Sequence, residues 1–275
     1  MKKIVTLSII GAALVGCSSQ NHDHHHSQQV IDNYHDHQII YEDQLTEFEK
    51  KDFNSFLCLA NGQLESRISI TTEGDYRIIK ANNIPNHKTG NFARGGNPNT
   101  IKEQDNTYKM LLTPKFAAKP TKSFPNAFGV ALNGVFFEPS TAEFWQGNRD
   151  WNEEAISHNG RRNLGLDENY AHVQPGGSYH YHGVPTGLVK NLAAKKKGKM
   201  MHIGYAADGF PIYSQYGYTD AKNNRSRVKK LSSSYKLKKG KRPKDGPSGR
   251  YDGTYSADYE YIKGAGDLDE FNGRF

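Results

Sequence analysis

Alternating polar and apolar residues dominate the chain from residue 64 onward, and this pattern is typical of β-strands. Leu64 to Thr72 and Tyr76 to Lys80 flank Gly74-Asp75, a turn sequence that predicts a hairpin. Thr107 to Leu112 and Phe128 to Phe137 predict further strands. The segments between the strands are rich in Gly, Asn and Pro, which indicates long loops. We therefore predict a mainly β fold, a single β-sandwich or barrel-like domain with long Gly/Asn/Pro-rich loops and few short helices.

Two segments depart from this pattern and predict short helices. Tyr41 to Lys51 is charged and carries two apolar residues three positions apart, as an amphipathic helix does. Trp151 to Ser157 follows Asp150, a residue type that caps helix N-termini. We interpret residues 39–60 as a short helical or connecting segment and residues 61–275 as one domain, since no Pro/Ser linker or internal repeat divides them.

The first residues of the chain have the features of an export signal. Two lysines precede an apolar run from Ile4 to Val15, which is too short to cross a bilayer core about 30 Å thick. Leu14-Val-Gly-Cys17 fits a bacterial lipobox, in which the cysteine is diacylated. We therefore predict a lipoprotein signal peptide at residues 1–16, lipid attachment at Cys17 and an extracytoplasmic location, at the outer membrane or the cell surface.

Residues 17–38 are polar and show no apolar periodicity, which predicts a flexible tether behind the lipidated cysteine. This segment holds six of the twelve histidines: His22, His24, His25, His26, His35 and His37. Neutral imidazoles bind Zn, Cu or Ni, so the tether is a candidate for loose metal capture. The alternative is a polar linker whose histidines have no ligand.

Residues 179–182 read Tyr-His-Tyr-His and alternate two residue types with a period of two. In a β-strand this alternation places His180 and His182 on one face and the two tyrosines on the other. Two imidazoles one strand repeat apart can share one ion, and Cu or Zn suits imidazole ligands best. The candidate metal ligands are His172, His180, His182, His202 and Asp208, the last also as a partner that orients an imidazole. The alternative is a buried strand whose imidazoles only make hydrogen bonds.

Several motifs around this strand occur together in one known family. They are Ile84 to His87, Gly129 to Glu138, Trp151 to Glu154, His172, the Tyr-His repeat, Gly204 to Tyr213 and Leu268 to Arg274. Through them the chain resembles the YHYH-domain family of bacterial and algal extracytoplasmic proteins, over most of residues 65–275. The resemblance implies a secreted domain of poorly defined biochemistry and carries no catalytic assignment. Family members continue past the Asn-Gly-Arg motif, so the resemblance also implies that this chain lacks the family's last strand.

Acidic residues concentrate between residues 138 and 168. Asp167-Glu-Asn169 offers oxygen ligands of the kind that Ca²⁺ takes, but it lacks the spacing of an EF-hand loop. We therefore interpret this segment as a solvated loop.

Basic residues concentrate in another part of the chain. Lys190 to Arg250 holds seventeen Lys or Arg against three Asp or Glu, whereas the rest of the chain is net acidic. The formal net charge of +7 therefore comes from this window. Anionic lipid headgroups, an anionic surface polymer or plain solvent all fit such loops. We expect no nucleic-acid partner, because the protein is predicted to be exported and has no helix-turn-helix or zinc-finger spacing.

Three functions remain open at this point. The first, which we favour, is a membrane-anchored lipoprotein that binds Cu or Zn through its histidines. The second is a non-catalytic module that binds an anionic glycan or another cell-surface polymer, with aromatic side chains stacking on sugars. The third is a metal-dependent hydrolase with Glu138 or Glu154 as general base. Because no nucleophile elbow, P-loop, His-Glu-x-x-His or dinucleotide motif is present, no catalytic residue is assigned and an enzymatic role stays undecided.

Overall fold

A computed structural model describes residues 64–93, 96–121, 127–156, 164–193 and 200–274, together with the backbone of three short strands before them. These strands are β1 (Ile4–Thr6), β2 (Ile39–Tyr41) and β3 (Leu57–Cys58). Apart from these strands, the predicted signal peptide, Cys17, the His-rich tether and the helix predicted after Tyr41 lie outside the described residues.

The first sheet is an antiparallel meander. It contains β5 (Ile68–Glu73), β6 (Tyr76–Ala81) and β7 (Asn106–Leu111), and the two-residue β4 (Glu65–Ser66) precedes it. The turn between β5 and β6 has Gly74 at a φ of +56°, a conformation that glycine adopts without strain. The predicted hairpin and the strand predicted at 107–112 are therefore confirmed.

The second sheet has six strands and carries the candidate metal ligands. Its strands are β8 (Gly129–Ala131), β9 (Phe136–Phe137), β10 (Ala171–Val173), β11 (Tyr179–Tyr181), β12 (His202–Ala206) and β13 (Pro211–Tyr213). The spatial order is β10-β11-β9-β8-β12-β13, and every neighbouring pair is antiparallel except β11 and β9. The strand predicted over 128–137 is thus two strands joined by a turn. Val130 of this sheet packs with Ile79 and Met110 of the first, so the two sheets share apolar core.

Two glycines allow the central strands β8 and β12 to lie close together. A Cβ atom on Gly204 would lie 2.4 Å from the Val130 carbonyl oxygen, and one on Gly129 would lie 2.4 Å from that of Tyr205. Both distances are far below van der Waals contact, so the pairing requires glycine at these positions.

The described α-helix, α1 (Thr186–Leu192), directly follows the strand with the Tyr-His repeat. Leu188 of this helix is buried and packs in the same core cluster as Tyr179 and Tyr181. The helix therefore covers the tyrosine face of β11. The described residues contain no helix with the length and apolar character that crossing a membrane requires.

The chain ends in two-stranded ribbons, β14 (Tyr216–Tyr218) with β15 (Val228–Lys230) and β16 (Tyr235–Leu237) with β17 (Tyr259–Tyr261). Beside the second ribbon, the buried guanidinium of Arg242 contacts the carboxylates of Asp252 and Asp258 at 2.5 and 2.6 Å. Since Asp258 is fully buried, this ion pair fixes the loop between β16 and β17.

The prediction of a helix from Trp151 to Ser157 is wrong over its described part. Asn152 pairs with Phe144 and Glu153 with Tyr255 in isolated antiparallel bridges. The Asn152 side-chain amide also donates to the carbonyl groups of Thr141 and Glu143, both at 2.9 Å, and holds the segment extended. The mainly β prediction is confirmed, although the described strands form open sheets and no closed barrel.

Candidate metal centre

The hairpin of β10 and β11 brings three imidazoles together. Antiparallel pairing places His172 directly opposite His180, and His182 follows one strand repeat later. The ring centroids lie 4.6 Å apart for His172 and His180, 4.7 Å for His180 and His182, and 4.9 Å for His172 and His182. One ring nitrogen from each residue lies within 4.8 Å of the other two. We call His172, His180 and His182 the three-histidine cluster.

Two nitrogens of the cluster are spaced as ligands of one ion would be. His172 Nε2 and His182 Nε2 lie 3.2 Å apart. Two nitrogens bound to one tetrahedral Zn²⁺ at the usual bond length would lie about 3.3 Å apart. His172 Nδ1 lies 2.8 Å from the Leu164 carbonyl oxygen and 3.3 Å from Asn97 Nδ2. The shorter contact is to an acceptor, so we assign the proton to Nδ1, and Nε2 then presents a lone pair to the cluster. The backbone thus selects the tautomer that a metal needs.

The environment keeps these imidazoles neutral at physiological pH. Burial first of all, and then the neighbouring His182 and His172, lower the pKa of His180 to about 2. Burial and the charge of His172 lower the pKa of His182 to about 4, and burial lowers that of His172 as well. Because a metal binds the neutral imidazole, no proton has to leave these side chains at pH 7.

One hydrogen-bonding position of the cluster is unfilled. His182 Nδ1 is buried and has no hydrogen-bond partner of normal geometry. The carbonyl groups of Glu138 and Pro139 nevertheless lie close enough to raise the pKa of this ring against the effect of burial. These carbonyls favour a proton on Nδ1, which again leaves Nε2 free to face the other histidines.

A carboxylate and an aromatic ring border the cluster. Glu138 Oε2 lies 3.8 Å from His180 Nε2 and accepts a hydrogen bond of 2.8 Å from Gln174 Nε2. The Phe136 ring stacks on the His180 ring at a centroid distance of 5.3 Å. Sequence reasoning named Glu138 as a possible base but missed Gln174. Residues two positions apart in a strand lie on the same face, so the spacing from His172 could have indicated that Gln174 lies beside the cluster.

The two tyrosines of β11 lie on the opposite face, as the period of two predicts, and both are fully buried. Tyr181 Oη accepts a hydrogen bond of 2.9 Å from Asn133 Nδ2 and lies 2.5 Å from His87 Nε2. His87 Nδ1 is 3.0 Å from the carbonyl oxygen of the next residue, so its proton sits there and Tyr181 donates to Nε2. Tyr179 Oη donates to Asp167 Oδ2 at 2.7 Å. These buried contacts fix the strand from which the histidines project.

Asp167 is a buried structural carboxylate, and the interpretation of its segment as a solvated loop is wrong at this residue. Besides Tyr179, its oxygens accept hydrogen bonds from the backbone N–H groups of Gly90, Asn169 and Ala171 at 2.9, 2.7 and 3.3 Å. Donors thus occupy both oxygens, which is the environment of a carboxylate that organises the fold.

The other two predicted ligands do not belong to the three-histidine cluster. His202 begins β12 and packs against the rings of Tyr205 and Tyr213, at centroid distances of 4.5 and 5.7 Å. Burial lowers its pKa to about 4. Asp208 is exposed, and its Oδ1 accepts a hydrogen bond of 3.3 Å from the Phe210 N–H in a turn.

Glu154, the second candidate base, also lies apart from the cluster. Its backbone N–H donates to the Thr254 carbonyl oxygen at 2.8 Å. Burial raises the pKa of its carboxyl, against a hydrogen bond from the Ser256 side chain. Glu154 therefore belongs to the region of the second ribbon, and Glu138 is the glutamate that borders the histidines.

Comparison with known proteins gives one match. The sequence model of a family described as YHYH protein matches residues 107–275, which is more than half of the chain and includes the whole three-histidine cluster. Neither a curated protein nor a solved structure matches the chain significantly.

Proposed function

We propose that this protein, which belongs to the YHYH family, binds one transition-metal ion through His172, His180 and His182. The observation that carries the proposal is the 3.2 Å separation of His172 Nε2 and His182 Nε2, together with the contact of His172 Nδ1 to the Leu164 carbonyl oxygen, which leaves a lone pair on His172 Nε2. Two facing lone pairs repel each other unless a proton or a metal ion lies between the two nitrogens. Cu and Zn are the ions that an all-imidazole site favours.

The proposal extends to where the site operates. A diacylated Cys17 would anchor the domain at a membrane surface outside the cytoplasm, at the outer membrane or the cell surface. The six histidines of residues 17–38 would then lie on the same chain as the three-histidine cluster. Tethered weak ligands raise the local concentration of an ion near a tighter site, so the tether would supply metal to the cluster.

Metal content tests the proposal directly. The mature chain is prepared with its six tether histidines replaced by glutamine, so that only the folded domain can hold an ion. We expect about one Cu or Zn per chain, and a loss of affinity of at least about 100-fold in the His180→Gln, His182→Gln variant, because two of three ligands are gone. Elemental analysis and competition with a chromophoric chelator measure both quantities.

The matched control is His202→Gln, which removes a partly buried histidine with a lowered pKa outside the cluster. This variant is expected to keep the metal content of the parent. A parent that is folded by circular dichroism but takes up neither Cu nor Zn would contradict the proposal, and the cluster would then be a hydrogen-bonded strand face.

A second candidate function rests on the basic surface of residues 222–250. Nine Lys or Arg side chains there are exposed and have no acidic partner within the described part of the chain: Lys222, Arg225, Arg227, Lys230, Lys236, Lys239, Lys241, Lys244 and Arg250. Lys229 and Arg242 differ, because they pair with Asp267 and with Asp252 and Asp258. Unpaired cations on one segment favour an anionic partner, either lipid headgroups or a surface polymer.

Vesicle binding tests this second candidate. A Cys17→Ser chain is expected to float with vesicles that contain anionic lipid, and to lose binding at high salt, because exposed charges are screened. Lys241→Glu with Lys244→Glu should weaken binding at least about tenfold, since each basic residue near the surface contributes about 1 kcal/mol.

The control, Lys115→Glu with Lys119→Glu, changes the net charge equally outside the segment. Equal loss in both variants would contradict a localised surface, and binding of an anionic polysaccharide alone would assign the partner to a polymer.

A further inference from the structure

The carboxylate of Glu138 lies just outside the ligand shell of the three-histidine cluster. Phe136 of β9 pairs with His180 of β11, so Glu138 follows one strand repeat later on the same side of the sheet. Its Oε2 atom is 3.8 Å from His180 Nε2. The potential ligand atoms that all lie within 4.8 Å of one another nevertheless come from the three imidazoles and do not include Glu138. In this arrangement the Glu138 carboxylate is too distant to coordinate the ion, but it is close enough to accept a hydrogen bond from a water molecule bound to the ion.

The contacts of Glu138 fix its carboxylate beside the cluster but supply no positive charge to neutralise it. Gln174 Nε2 donates to Oε2 at 2.8 Å, and Gln174 lies directly after β10, the strand that carries His172. The glutamate side chain is 19% exposed, and the described basic side chain in ion-pair range of its carboxylate is that of His180, at 3.8 Å. A largely buried carboxylate without a cation is costly, so an ion in the cluster would stabilise it.

The cluster is also accessible. His172 and His182 are each partly exposed, whereas His180 is buried. Three imidazoles occupy three corners of a tetrahedron around an ion, and the fourth corner remains for an exchangeable ligand. Open three-ligand sites of this kind activate water, and closed four-ligand sites are structural.

Resting on the proposed metal site, we infer that the cluster holds its ion with one position open for water, that Glu138 is the base for that water, and that the site is hydrolytic, with a simple ester as the probe substrate. The Glu138 carboxylate accepts a proton from the bound water. The resulting hydroxide oxygen forms a bond to the acyl carbon, and the bond from that carbon to the alcohol oxygen breaks. The proton on Glu138 passes to the leaving alcohol, so one ester and one water give one acid and one alcohol.

Gln174 has a separate, positioning role in this inference. It touches neither the water nor the ester, and it acts by fixing the orientation of the Glu138 carboxylate. A Gln174→Leu variant should therefore lower kcat, whereas KM and zinc content should remain those of the parent. A merely structural role for Gln174 would instead change zinc content or unfolding.

The experiment uses the zinc-loaded mature chain, with its six tether histidines replaced by glutamine, and 4-nitrophenyl acetate as the ester. The rate is expected to exceed that of the metal-free protein and of equimolar free zinc. Glu138→Gln should lower kcat about 100-fold, the usual size of a general-base contribution, at an unchanged zinc content of about one per chain. The matched control is Glu154→Gln, another partly buried glutamate with a raised pKa, which lies apart from the cluster and should leave kcat unchanged.

The outcomes separate this inference from the metal site on which it rests. Zinc bound at one per chain with no rate above free zinc, or with equal rates in the parent and in Glu138→Gln, would overturn the inference and leave the metal site standing. Loss of zinc in Glu138→Gln would overturn it as well, because the glutamate would then be a ligand and the position closed. Failure of the parent to bind zinc or copper would instead remove the metal site itself.

Discussion

Replacing Asp167 by alanine is expected to lower the free energy of unfolding by about 4 kcal/mol, through the loss of a buried hydrogen-bond network. The carboxylate accepts from Tyr179 Oη and from the backbone N–H groups of Gly90, Asn169 and Ala171. Alanine would leave these donors inside the protein without an acceptor, and each buried unpaired donor costs about 1–3 kcal/mol. The expected total is less than four times the upper cost of one unpaired donor, because water can enter part of the space that the carboxylate leaves.

Urea unfolding at pH 7 measures the change, with circular dichroism as the signal. The control is Asp208→Ala, an exposed aspartate whose Oδ1 accepts one backbone hydrogen bond in a turn. That variant is expected to stay within about 0.5 kcal/mol of the parent, as surface substitutions usually do. An Asp167→Ala protein less than about 1 kcal/mol below the parent would show that the network contributes little to stability.

The sequence was sufficient to predict which residues share a face of β11, because strand alternation depends only on local geometry. The period of two at residues 179–182 separates the buried tyrosines from His180 and His182, as the structure has them. His172 was a candidate by nearness in sequence. Its position opposite His180 follows from the Pro175-Gly-Gly turn, which joins β10 and β11 as a hairpin.

The sequence was not sufficient to predict the arrangement of strands that come from distant parts of the chain. His202 follows His182 by only twenty residues, but β9 and β8 lie between β11 and β12 in the sheet. Three strand spacings separate β11 from β12 by about 14 Å, which is far beyond the reach of a shared ion. Glu138 is the opposite case to His202. It is remote from the cluster in sequence, but the parallel pairing of β9 with β11 brings it to the cluster in the fold.

Helices were predicted less well than strands, and side-chain contacts explain why. Trp151 to Ser157 has a capping residue before it, yet the Asn152 amide holds its described part extended through contacts with residues 141 and 143. Thr186–Leu192 is a seven-residue helix without a side-chain cap, and isolated helices of that length are unstable. Burial of Leu188 against the tyrosine face stabilises it, and no local pattern reports that burial.

Mild acid is expected to destabilise the metal-free protein by about 4 kcal/mol between about pH 7.5 and 5.5, well above the range in which carboxylates titrate. The pKa of His180 is lowered to about 2, and those of His182 and His202 to about 4, by burial first of all. The same side chains titrate near 6.5 when unfolded. Below that pH the unfolded chain binds protons that the folded protein does not, so stability is complete above about 6.5 and falls as the pH falls. Each histidine contributes about 1.4 kcal/mol per pH unit until its folded pKa is reached.

Two histidine variants, each measured with and without zinc, show how much of this loss of stability in acid comes from the cluster and how much from the rest of the fold. Urea unfolding is measured from pH 7.5 to 5.5 in chelator and again in excess zinc, on chains without tether histidines. His202→Gln should remove about 1.4 kcal/mol of the change between the two pH values and keep the stabilisation by zinc, because its side chain lies outside the cluster. His180→Gln with His182→Gln should remove about 3 kcal/mol of that change and abolish the stabilisation by zinc. A metal-free parent whose stability is the same at both pH values would mean that these imidazoles titrate in the folded protein as they do in the unfolded chain, and would contradict the lowering of their pKa values by burial.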